Sequence, residues 1–109
     1  MITIREYLDP QDRSPFSKWF ESLNAQAAAK ITAALVQIEQ GNLSNVKGVG
    51  AGVFECQIDF GPGYRVYFGK DGDTIVVLLG GGIKKRQNEG ILAARNCWND
   101  YKDRKNRET

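Results

Sequence analysis

The chain has 109 residues, of which 41% are hydrophobic, 26% charged and 10% aromatic, with a formal charge of +2. That is one domain's worth of chain, over 1–109, too apolar and too evenly charged to be a disordered segment. Its longest apolar run, Ile75 to Leu79, is strand-sized, and nothing approaches the ~20 residues that cross a bilayer. MITIREYLDP has no apolar core of a secretory signal, so a cytoplasmic protein without membrane contact is expected. Two cysteines, Cys56 and Cys97, and no histidine exclude a disulfide framework, a four-ligand zinc site, histidine metal sites, and Ser-His-Asp or Cys-His catalysis. No metal or cofactor is expected. Acid–base work falls to Lys, Tyr, Asp, Glu or positioned water.

In chain order, Ile2 to Leu8 reads as a strand with Ile2, Ile4 and Leu8 on one face, broken by Asp9-Pro10-Gln11-Asp12. Ser14-Pro15 is a helix start, a hydroxyl cap followed by proline at the first helical position. Phe16, Trp19, Phe20 and Leu23 follow as an apolar stripe at helical spacing. Asn24 caps a second helix over 25–40, alanine-rich and unbroken, with Ala27, Ile31, Ala34, Leu35 and Ile38 on one face and Gly41 at its end. The short connection predicts a helical hairpin.

Residues 41–52 are glycine-rich and read as a loop. From there the period becomes two. Phe54, Cys56, Ile58 and Phe60 alternate with Glu55, Gln57 and Asp59. Gly61-Pro62-Gly63 turns into a strand with Tyr64, Val66 and Phe68 on one face and Arg65 and Tyr67 on the other. Asp71-Gly72-Asp73 turns again, Thr74 to Leu79 is a central strand, and Gly80-Gly81-Gly82 is expected to end it. A last helix from about Asn88 buries Ile91, Ala94, Trp98 and Tyr101. The order is β-α-α-β-β-β-α. The fold class is α+β, a mainly antiparallel sheet with an N-terminal helical hairpin packed on one face, leaving the other face as a groove, and a C-terminal helix.

Positive charge concentrates late. Residues 1–46 carry four Lys/Arg against five Asp/Glu, and residues 47–109 eleven against eight. The dense spots are Lys84-Lys85-Arg86 and Lys102, Arg104, Lys105, Arg107, which suit nucleic acid or, at the end, a solvated helix terminus. Arg65 on the polar strand face either holds a phosphate through its planar fork or forms a cross-strand ion pair with Glu55 or Asp59. The glycine run before three cations is either an anion-binding turn or a flexible one. Lys47 enters by position, near the strand that faces Arg65. Tyr64, Tyr67 and Tyr101 are candidates for base stacking, but Tyr64 and Tyr101 sit on apolar stripes and read as core first. Cys56 and Cys97 read as buried small hydrophobes.

GVFECQIDFGPGYRVYF (52–68), followed by LLGGGIKKRQ (78–87), resembles the RelE/ParE superfamily of toxins from bacterial toxin–antitoxin modules, and within it the phage-derived addiction module killer protein branch, which is HigB-like. The resemblance covers nearly the whole chain and implies a RelE-like fold. It implies the toxin of a type II module, a metal-independent endoribonuclease that cuts mRNA on the ribosome and inhibits translation. By position, Lys47, Arg65 and Lys84 match the branch's catalytic basic residues, and Tyr67, Lys85, Arg86 and Lys102 are the expected RNA contacts. Ile83 stands where the branch usually has aspartate, and is expected to pack against the last helix instead. The implied partners are a cognate antitoxin of helix-turn-helix type, the ribosome and mRNA, with operator DNA reached only through the antitoxin. The alternatives are a non-enzymatic gyrase poison of the ParE type and a decayed toxin that only binds its antitoxin.

Overall fold

Both helix starts written in the sequence are made. Ser14 Oγ accepts from the Ser17 N–H at 3.0 Å and Asn24 Oδ1 from the Ala27 N–H at 2.9 Å, each satisfying an otherwise orphaned donor. The structure is a computed structural model describing residues 1–108. It runs β1 (Thr3–Glu6), α1 (Pro15–Glu21), α2 (Ala25–Glu39), β2 (Val46–Gly48), β3 (Val53–Ile58), β4 (Tyr64–Asp71), β5 (Ile75–Ile83), a 3-10 turn (Lys84–Arg86) and α3 (Gln87–Glu108). The strands form one sheet in the order β1-β5-β4-β3-β2, with β1 parallel to β5 and the other pairs antiparallel. This is the α+β architecture of a RelE-like fold.

The sheet is a middle layer. Cys56, Ile58, Tyr64, Val66, Phe68, Val76 and Leu78 face the α1–α2 hairpin, where Phe16, Ala27, Ile31 and Ile38 complete the core. Val53, Tyr67, Val77 and Leu79 face α3 and pack on Ala94 and Trp98. The expected helical stripes are the ones buried, and so is Cys56. Among the described residues no helix is long and apolar enough to cross a membrane.

Four expectations need correction. The 41–52 stretch is not all loop, because Val46–Gly48 pairs with β3 as a fifth, edge strand. Leu8 lies outside β1 and is 45% exposed, while Tyr7 is buried on the α3 side. The second sheet face is not a bare groove, because α3 covers most of it. Lastly, the three glycines do not end β5. β4 keeps pairing with it to Ile83, with Leu79 as an extra residue between the Phe68–Leu78 and Tyr67–Gly80 pairs, a bulge that bends the strand. A Cβ on Gly81 would collide with the Trp19 ring, so the glycine is there for close packing.

α3 is tied down along its length. The Arg95 guanidinium donates to the Val49 carbonyl in the β2–β3 hairpin. The Tyr7 hydroxyl donates to Asp100 at 2.7 Å and that carboxylate also pairs with Arg104. The Tyr101 hydroxyl donates to Asp71 at 2.6 Å, where Lys105 also pairs. Burial, then the adjacent carboxylate, pushes Tyr7 and Tyr101 each up to about 12.

A Cβ at Gly69 would stand 2.5 Å from the Trp98 ring, and one at Gly82 would meet nothing within 4 Å. Gly69→Ala should therefore cost ~1–3 kcal/mol in urea unfolding, and Gly82→Ala less than ~0.5 kcal/mol. The raised phenols set an alkaline limit. Their contribution is complete below the unfolded value of about 10 and is lost as pH rises towards about 12. The urea midpoint should hold up to pH ~10 and then fall, and Tyr7→Phe should make that fall shallower.

Candidate active site

Glu55 lies in the middle of β3 on the face towards α3, and it is 0% exposed. An isolated carboxylate there would be costly, so its partners define the site. They come from four elements. On β2, Lys47 stands directly opposite Glu55, with Nζ 3.8 Å from Oε1. On β3 itself, Gln57 Nε2 donates to Oε1 at 3.2 Å. On β4, Arg65 Nε approaches Oε1 at 3.6 Å. From the first turn of α3, Gln87 Nε2 donates to both oxygens at 3.0 and 2.9 Å.

Arg65 is 6% exposed. Its Nη1 donates to the Tyr64 carbonyl at 3.0 Å, and its buried Nε has no hydrogen-bond partner. The cross-strand ion pair with Glu55 is thus present, in a buried setting that holds the guanidinium still. Asp59 is exposed and takes no part. Gly82 is the register partner of Arg65 on β5, and the space a side chain would fill there is open.

Lys84 comes to the same place by way of the turn before β4. Gly63 has φ +79, and its carbonyl accepts from the Lys84 N–H at 2.8 Å. A Cβ on Gly63 would lie 3.2 Å from Lys84 Cβ and 3.7 Å from Arg65 Nη1. Glycine is needed for the left-handed turn and for letting these two chains flank it. Lys47 and Arg65 therefore meet at the Glu55 carboxylate, and Lys84 flanks Arg65 across Gly63. Lys85 and Arg86 follow, exposed, in the 3-10 turn and line a shallow cleft of about 250 Å³ with Lys84 and Gln87.

Two expected RNA contacts are not brought there as imagined. Tyr67 is 1% exposed under α3, with Gly90 packed against its ring and its hydroxyl 3.5 Å from the Gln87 carbonyl. Burial, then the Glu55 charge, pushes its phenol well up. Its ring has no free face for a base; it supports the floor beneath Glu55 and Gln87. Lys102 lies far along α3, ~22 Å from Gln87 at 1.5 Å per residue, with its ammonium 6.0 Å from the Trp98 ring. Ile83 packs with the core on the α1–α2 side rather than against the last helix, so an acid at that position would face away from Arg65. The acid beside Arg65 is Glu55.

Glu55 and Gln87 are the members that sequence reasoning undervalued. A mid-strand glutamate one register step from an arginine was a usable signal, whereas nothing local singles out Gln87.

A profile of the family described as "Phage derived protein Gp49-like (DUF891)" matches residues 18–91. That span holds Lys47, Glu55, Arg65, Lys84 and Gln87, and it exceeds half the chain. The chain belongs to this family. The Gp49-like proteins are related to toxins of the RelE/ParE type. An uncharacterised protein of Haemophilus influenzae is 41% identical to this Gp49-like chain over 81 residues, which are 73% of this chain and 82% of that relative.

Removing one side of the buried pair should be costly. Glu55→Ala leaves Arg65 buried beside no counter-charge, and should lose ~3–5 kcal/mol in urea unfolding. Lys47→Ala, on the exposed rim, should lose less than ~1 kcal/mol.

Proposed function

We propose that this Gp49-like protein is the toxin of a type II toxin–antitoxin module and acts as a metal-independent mRNA endoribonuclease on the ribosome, as in the HigB-like branch. The observation that carries the reading is the pairing of Lys47 and Arg65 with Glu55, with Lys84 flanking Arg65 across Gly63, beside an open strand position at Gly82.

The chemistry suited to such a cluster is in-line transfer. The RNA 2′-oxygen forms a bond to the adjacent phosphorus and loses its proton. The bond from phosphorus to the 5′-oxygen breaks, and that oxygen takes up a proton. The products are a 2′,3′-cyclic phosphate and a 5′-hydroxyl. The Arg65 guanidinium, fixed by Glu55 and the Tyr64 carbonyl, stabilises the additional negative charge of the phosphorane-like transition state. Lys84 holds a non-bridging oxygen or protonates the leaving oxygen. The 2′-hydroxyl proton passes to a water molecule, and Lys47, on the opposite side of Glu55, holds a second non-bridging oxygen. Lys85 and Arg86 extend the positive rim for the flanking phosphates. The cytoplasm is the compartment where such a target lies, and a cognate antitoxin is the partner the reading requires.

The test is induced expression without antitoxin, with primer extension on a cellular mRNA. Wild type should arrest growth and leave discrete in-frame cuts. Lys84→Ala and Arg65→Lys should lose about 10²–10³ in cutting rate, Lys84→Ala with an unchanged melting curve. Arrest with intact mRNA and inhibited gyrase supercoiling would move the target to the ParE type, and no arrest would mean a partner-binding protein without nuclease activity. A third variant reads the open position alone. Gly82→Val should keep the fold and abolish cutting, because its side chain fills the space beside Arg65.

A further inference from the structure

We propose that the outer edge of the second half of β5 is a docking slot for an extended, acidic peptide segment of a partner protein, which adds there as a strand in line with β1. The inference stands on the backbone of the sheet and does not depend on the nuclease reading.

β1 covers only half of β5. Its pairing runs from Thr3–Ile75 to Glu6–Leu78, and the last bond is from the Tyr7 N–H to the Leu78 carbonyl at 2.9 Å. The chain then leaves the sheet at Leu8, Asp9 and Pro10. β5 continues to Ile83, a further ~17 Å over five residues. The direction of its free groups follows from the ladder with β4. The Lys84 N–H bonds to the Gly63 carbonyl, and hydrogen-bonded and non-bonded pairs alternate along an antiparallel ladder. Gly82 and Gly80 therefore turn their N–H and C=O towards β4, and Gly81 and Ile83 turn theirs outward. No other described segment bonds to that edge.

A groove of about 490 Å³ runs along it, lined by Trp19, Gly81, Gly82, Ile83, Arg86 and Glu89. Trp19 from α1 forms the wall on one side of the sheet and the first turn of α3 forms the other. The open space thus lies between two helical layers, beside the unpaired edge of the sheet. Glycines leave the approach unobstructed, since no side chain projects from Gly81 or Gly82. Free edges of this kind are normally blocked by charge, proline or a bulge away from the sheet, because they pair with passing strands. Here no lysine or proline lies within the open stretch Gly80–Ile83.

The regular donor–acceptor spacing selects an extended polypeptide, which gains affinity from main-chain bonds and specificity from alternate side chains. The charge selects its sign. Lys84, Lys85 and Arg86 stand at the mouth against the single acid Glu89, so a segment carrying Asp or Glu is favoured over a basic one. Gly82 belongs to this slot and to the open position beside Arg65, so an occupant would sit next to the candidate active site.

The test is a titration of the ¹⁵N-labelled full chain with a capped octapeptide of alternating valine and glutamate. The amides of Gly81 and Ile83 should shift and exchange more slowly with solvent. A valine–lysine octapeptide should bind at least about tenfold more weakly. A fully backbone-N-methylated valine–glutamate peptide, unable to form a ladder, should not bind. Ile83→Pro removes an outward N–H without touching the β4 ladder, and should abolish the shifts. If that variant fails to fold, the N-methylated peptide carries the same distinction. The proposal is overturned if the Gly81 and Ile83 amides stay unmoved at about 1 mM peptide, or if the lysine or N-methylated peptide binds equally well. It is also overturned if those amides shift with protein concentration alone, which would make a second copy the occupant. Shifts there with a short oligouridylate and not with the peptide would assign the slot to RNA and overturn it too.

Discussion

A carboxylate with no access to water has to be answered by donors, and at Glu55 the donors come from β2, β3, β4 and the first turn of α3. Satisfying that one group sets the register of the three strands against each other and fixes where α3 begins. A one-residue slip of β4 would turn Arg65 to the apolar face and leave Glu55 without its guanidinium. The network therefore ties the fold's specificity to its candidate chemistry. Lys47 and Arg65 are held close together by the charge they share, Lys84 stands beside Arg65 across Gly63, and the positive charge left uncompensated is the rim that faces solvent.

The glycines of β5 serve both faces of the sheet. On the hairpin side, the missing Cβ of Gly81 lets Trp19 lie flat on the strand. On the α3 side, the bare positions of Gly80 and Gly82 leave room beside Arg65. The Leu79 bulge brings this stretch back into pairing with β4 after an extra residue. A run that reads locally as a turn is thus a strand whose side chains are absent where neighbours or ligands come close.

α3 closes the second core and carries Gln87 to Glu55 at one end. Its other end is held through two part-buried phenol–carboxylate contacts, each joined by a basic residue of the same helix. Between them, Arg95 grips the β2–β3 hairpin, and so the strand that presents Lys47. The geometry of the site is thereby linked to the docking of a helix whose sequence is mostly polar and whose own apolar stripe is narrow.

By itself the sequence determined the elements and their faces. Caps at Ser14 and Asn24, the alanine-rich second helix, the two-residue period over 53–68 and the stripe Ile91–Ala94–Trp98 are local signals, because helix capping and side-chain alternation depend on near neighbours. It also carried Arg65, Lys47 and Lys84 as candidates, through their strand positions and the family resemblance. Only the tertiary structure decided that Val46–Gly48 is a strand, since a three-residue edge strand exists through its partner and not its propensity. The same holds for the burial of Tyr67, the separation of Lys102 from the site, and the direction of Ile83, each set by where α3 and the hairpin land on the sheet. Glu55 and Gln87 lie 32 residues apart in the chain, and only the docking of α3 makes them neighbours. The half-covered edge of β5 arises in the same way, because β1 ends where the chain turns at Leu8 while β5 goes on pairing with β4.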